Sequence, residues 1–90
     1  MYEQKTTVKN ETGLHARPAT EFVTLAKTFQ SAITLHREGS TRKPANAKSI
    51  LHVLAEGCSA GSEVTVSAQG DDEREAVEKL IALIDAGFGE

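Results

Sequence analysis

A histidine, an arginine and a proline stand close together in the segment Gly13-Leu14-His15-Ala16-Arg17-Pro18-Ala19. Pro18 fits a helix only in the first turn, where its missing N–H would have had no partner, so the spacing predicts a helix starting at about His15 or Ala16. His15 then stands at a helix N-terminus. Free amides and the positive end of the macrodipole favour a dianion there, by about 0.3 to 1 kcal/mol each and up to ~2 kcal/mol when partly buried. Arg17 can add a charge-assisted contact to phosphate oxygens. A neutral imidazole nitrogen is nucleophilic near neutral pH, and the N–P bond it would form stays reactive enough to be handed on. These residue types therefore suit the acceptance and release of a phosphoryl group on His15. The plainer alternative is an exposed cap residue without chemistry, and charge alone does not decide between the two.

Positioning such a histidine takes a scaffold, and hydrophobic periodicity outlines one. Lys5 to Asn10 is β-prone through Thr6, Thr7 and Val8 and ends in the turn residues Glu11-Thr12-Gly13. From Ala16 to Phe29 the apolar residues Ala19, Phe22, Val23, Ala26 and Phe29 recur at helical spacing. Ala32 to Arg37 alternates, with Ile33 and Leu35 on one face, before Glu38-Gly39-Ser40 turns the chain. The polar run Thr41, Arg42, Lys43 to Pro44 reads as an edge strand or loop, and Ser49 to Leu54 as a short helix closed by Gly57. Glu63 to Gln69 alternates again with Val64, Val66 and Ala68 inward, and Asp71 or Asp72 is expected to cap a last helix. There Ala76, Val77, Leu80, Ile81 and Ile84 form the apolar stripe, and acids crowd the first turn. The order βαββαβα predicts an α+β domain over residues 1–90, with helices on one face of a mixed or antiparallel sheet.

Composition removes several functions. Ninety residues, 39% of them hydrophobic, bury one modest core and leave little chain for a deep cleft. A net charge of −3 lacks the basic excess that nucleic-acid binding needs, and only Tyr2, Phe22, Phe29 and Phe88 are aromatic, so stacking platforms are missing. One cysteine cannot form an internal disulfide, and Met1-Tyr2-Glu3-Gln4-Lys5 contains no apolar run, so a cytoplasmic protein without membrane insertion is expected. His36, His52 and Cys58 fall on separate elements without paired zinc spacings, so no metal site and no cofactor are expected. Cys58 reads as a small buried hydrophobe. The glycines mark turns and caps, since no Gly-rich run ends in Gly-Lys-Ser or Gly-Lys-Thr. Nothing calls for an oligomer, and a monomer is expected.

The segment around His15, with Asn46-Ala47-Lys48-Ser49-Ile50, Gly61-Ser62-Glu63-Val64 and Gly70-Asp71-Asp72-Glu73, resembles the HPr family, the histidine phosphocarriers of the bacterial sugar phosphotransferase system, nearly end to end. The resemblance implies an open-faced β-sandwich, a four-stranded antiparallel sheet covered on one face by three helices. It implies that Enzyme I, charged from phosphoenolpyruvate, phosphorylates His15 on Nδ1 and that the group passes to IIA domains of sugar transporters, with Arg17 contacting it. The chain would be a relay rather than a conventional turnover enzyme.

Ser49 reads on its own as a helix N-cap worth roughly 1 kcal/mol. The resemblance adds phosphorylation there by an ATP-dependent HPr kinase, with a catabolite-control transcription regulator as a further partner. Such a phosphate would bring about −1.5 to −2 charge beside the docking surface. Ile50, Leu51 and Leu54 supply more apolar surface than so short a helix can turn inward, although core packing is the plain alternative for each. The resemblance places Leu51 and Leu54 beside Thr20 and Arg17 in a partner face. Two departures stand out: Ser40 to Ala45 is slightly longer than the usual turn, and His52 occupies a position where a small residue is common. The competing readings are a regulatory relative signalling through Ser49, which typically lacks the active histidine, and a carrier for a nitrogen-related chain.

Overall fold

Alternation builds the sheet. In the computed structural model, which describes residues 1–89, β1 (Tyr2–Thr7), β2 (Ala32–Arg37), β3 (Ala45–Asn46) and β4 (Glu63–Gln69) form one antiparallel sheet in the order β1-β4-β2-β3. β4 is central, and its inward residues Val64, Val66 and Ala68 are buried as their period-2 spacing requires. Leu35 pairs with Val66 and Ile33 with Ala68, which sets one apolar face toward the helices.

Three helices complete the α+β arrangement: α1 (Ala16–Ala26), α2 (Ile50–Glu56) and α3 (Glu73–Asp85). α1 buries Ala19, Phe22, Val23 and Ala26, and α3 buries Ala76, Val77, Leu80, Ile81 and Ile84. Each fully buried large apolar side chain contributes about 1.5 to 3 kcal/mol. α3 lies on β1 and β4, while α1 packs against both α2 and α3. Gly57, in the left-handed region at φ 69°, ends α2 as expected of a C-terminal glycine.

The structure corrects several boundaries. β1 covers Tyr2–Thr7 rather than residues 5–10, because pairing from Tyr2 with Ala68 to Thr7 with Glu63 fixes it against β4. α1 ends at Ala26, and Phe29 is buried from the following turn rather than from the helix. The third strand is the two-residue Ala45–Asn46, just after Pro44, so residues 41–44 are loop. That loop is braced by Ser40 Oγ, which accepts from Arg42 N at 3.1 Å. Asp72 occupies the N-cap position of α3, yet its side chain does not cap its own helix. It accepts instead from the backbone N–H groups of Gln30 (2.8 Å) and Ser31 (3.0 Å) and from the Ser31 hydroxyl. A short 3-10 turn at Gly87–Gly89 follows α3. No helix among the described residues is long and apolar enough to cross a membrane.

Candidate functional site

The approach to His15 is held from below. Beyond β1, Val8 N donates to Ser62 O and Val8 O accepts from Gly61 N, both at 2.8 Å. The chain then turns through Asn10, whose carbonyl accepts from Gly13 N at 3.2 Å. Gly13 adopts φ 65°, and a β-carbon there would lie 2.5 Å from the Cys58 carbonyl oxygen. Both the backbone conformation and the close approach therefore require glycine. Leu14 N donates to that same Cys58 oxygen at 2.7 Å, and the Leu14 side chain is 0% exposed. Directly after the anchored, buried Leu14, His15 is exposed to solvent.

His15 is the N-cap of α1, with extended backbone at φ −128° and ψ 158°, and its exposed imidazole makes no capping hydrogen bond. The ring is left available for chemistry, where a serine or aspartate would have turned back onto the helix amides. Ala16 follows at φ 51°, a left-handed conformation that costs a residue with a β-carbon about 1–2 kcal/mol. Pro18 and Ala19 are buried and seat the first turn. That turn carries no acidic residue, Arg17 is exposed, and among the described residues Arg17 forms no ion pair. The positive helix end and an exposed guanidinium two residues along thus flank His15 in the chain, and among the described residues no ion pair neutralises that guanidinium.

The neighbouring helix supplies the second feature. Ser49 caps α2, its hydroxyl accepting from His52 N at 3.4 Å, a long bond that places the cap at the weak end of its range. On α2, Ile50, Leu51 and Leu54 are 36%, 73% and 38% exposed, while Val53 and Glu56 are buried. Core packing, the plain alternative, does not hold for these three aliphatic residues. Thr20 is exposed on α1, its hydroxyl donating to Ala16 O at 3.2 Å. Because α1 packs on α2, Arg17 and Thr20 lie on the helix next to the one that carries Leu51 and Leu54.

His36, His52 and Cys58 do not converge, and no group of three metal-ligating side chains forms among the described residues. His36 Nδ1 lies 3.6 Å from Glu56 Oε2. The Cys58 thiol is pushed up to about 11, mainly by burial, with Glu56 adding to the rise and Arg37 opposing it. Sequence reasoning missed two residues. Glu56 is a buried carboxylate that accepts from Arg37 N at 2.8 Å, and Asn10 is buried beneath the His15 loop. Position in a helix or a turn gave no signal for either, because both are buried by distant segments.

Fold and site together define a class: a small open-faced sandwich presenting an exposed histidine at a helix N-terminus beside an arginine. The chain belongs to the HPr family of the phosphotransferase system. The family described as PTS HPr component phosphorylation site matches residues 2–86. The chain is 48% identical over 84 residues to the HPr-like protein Crh of Bacillus subtilis (strain 168), covering 93% of this chain and 95% of that protein. Identity to phosphocarrier protein HPr of Vibrio cholerae serotype O1 is 45% over 85 residues, covering 94% and 96%. The crystal structure of HPr-C-His from Thermoanaerobacter tengcongensis superposes with a TM-score of 0.92 at 47% identity, covering 100% of this chain and 98% of that one.

Proposed function

We propose that this chain is a cytoplasmic, monomeric phosphocarrier that accepts a phosphoryl group from phospho-Enzyme I on His15 Nδ1 and passes it to IIA domains of sugar transporters. The observation that carries this reading is the exposed, uncapped His15 at the N-terminus of α1, in a chain of the HPr family. Nδ1 attacks phosphorus as the bond from phosphorus to the donor atom breaks, the electron pair leaving with the donor. Attack by the acceptor then reverses the process and frees the imidazole. Arg17 and the helix amides stabilise the charge on the phosphoryl oxygens during both steps. Thr20, Ile50, Leu51 and Leu54 form the face that meets both partners, and a relay needs them only briefly, so affinity is modest.

A second reading starts from Ser49 at the N-cap of α2, within the HPr-like segment Asn46-Ala47-Lys48-Ser49-Ile50: Ser49 is phosphorylated by an HPr kinase and the modified chain binds a catabolite-control transcription regulator. One experiment addresses both. Intact mass after incubation with Enzyme I and phosphoenolpyruvate is expected to show one added, acid-labile phosphoryl group that His15→Ala abolishes. A parallel incubation with HPr kinase and ATP is expected to add an acid-stable group that Ser49→Ala abolishes. No addition in the first arm would overturn the carrier reading, and no addition in the second would overturn the regulatory one.

A further inference from the structure

The turn before His15 contains one buried polar side chain. Between Lys9 and Thr12 only Asn10 is buried, at 5% exposure. Its Nδ2 donates to Gly13 O at 2.8 Å and to Thr12 Oγ1 at 3.1 Å. Its Oδ1 is buried with no hydrogen-bond partner among the described residues. A buried acceptor without a partner costs stability, and an apolar side chain of similar volume would avoid the cost. Against that cost stand the two hydrogen bonds from Nδ2, so stability alone does not select the amide, and the geometry it imposes is what sets it apart from an apolar side chain.

The peptide group joining Gly13 to Leu14 shows what that geometry achieves. Its carbonyl accepts from Asn10 Nδ2, and its N–H donates to Cys58 O at 2.7 Å. A peptide unit is planar, so holding both polar ends fixes its rotation about the chain axis. This is the peptide immediately before the one that leads into His15. The backbone below it provides the second hold, and among the described residues Asn10 is the side chain that provides the first.

We infer that Asn10 is a positioning residue for phosphoryl transfer, clamping the Gly13–Leu14 peptide so that the His15 imidazole is presented in line with the incoming phosphorus. The inference rests on the reading of His15 as the phosphoryl acceptor. It follows from the sensitivity of in-line displacement to placement, where a misalignment of about 1 Å costs on the order of a hundredfold.

The test is steady-state transfer from phospho-Enzyme I to the wild-type chain, Asn10→Leu and Asn10→Asp, with thermal unfolding of each. Asn10→Leu removes both the clamp and the unpartnered acceptor. Losing the Nδ2 bond to Gly13 O offsets the removal of the unpartnered acceptor, so Tm is expected to change little, while kcat, measured well below the transition, falls about tenfold or more. KM is expected to stay within about twofold, since the exposed α2 residues are untouched. Asn10→Asp keeps the shape but sets a carboxylate against the Gly13 carbonyl, and is expected to lose kcat as well; it also carries the test should the leucine variant not fold. A residue that merely supports the fold would lower Tm and leave kcat unchanged well below the transition. Transfer to wild type together with an unchanged kcat in a folded variant overturns the inference alone. No transfer to wild type overturns the His15 reading and this inference with it.

Discussion

Gly13 carries two constraints at once, a positive φ and a backbone neighbour where its β-carbon would be. Gly13→Ala is therefore expected to destabilise the fold by about 2 kcal/mol or more, read as a lower midpoint in urea. Transfer to His15 should fall with it, because Leu14 would be displaced from the Cys58 carbonyl. Ala16, three residues on, adopts its own left-handed φ of 51° with an exposed side chain. The strain at Ala16 lies next to His15, where the surrounding contacts hold it in place.

Among the helices, α2 is the one whose burial does not follow from its length. Seven residues cannot bury every aliphatic side chain they carry, and only Val53 and Glu56 are buried. Two substitutions on this helix should separate stability from docking. Val53→Ala is expected to cost about 2 kcal/mol. Leu51→Ala is expected to change stability by less than about 0.5 kcal/mol, since Leu51 is 73% exposed. The Leu51 variant should nevertheless raise the KM for transfer from Enzyme I. Equal KM for Leu51→Ala and wild type would remove this helix from the partner face. Urea unfolding and transfer kinetics on the same samples provide both readouts.

Two carboxylates join segments far apart in the chain. The Ser31 hydroxyl and the Gln30 N–H hold the Asp72 carboxyl below the usual carboxylate range, and the Thr6 hydroxyl with Lys9 does the same for Asp85. Both are depressed in the folded state, so each contributes stability that is complete above the unfolded pKa. That contribution is lost as pH falls through the folded value. The acid limb of the stability profile should therefore begin near about pH 4 and steepen below it. Asp72→Asn is expected to lower Tm at pH 7 and to make Tm fall less between pH 5 and pH 2 than in wild type. A thermal melt series across that range checks both. An unchanged slope would mean that the bridge from α3 to the 30–31 turn contributes nothing in solution.

Local patterning was enough to read β2 and β4 at their observed bounds and to name the buried stripe of α3, because alternation and the helical period report which face is inward wherever an element has one buried side. Pro18 likewise located the start of α1, and with it His15 at the helix end, since proline has no other place in a helix. Long-range packing decided the rest. β1 runs three residues earlier than its threonines and valine suggest because β4 selects the register. Ile50, Leu51 and Leu54 remain exposed because the surface beneath α2 is already taken by Val53 and Glu56. Asp72 reaches a turn rather than its own helix, and Asn10 and Cys58 meet at one peptide ahead of His15. Hydrophobic period is a property of neighbours along the chain, whereas the clamp and the exposed face depend on which distant segments fill the space beside them.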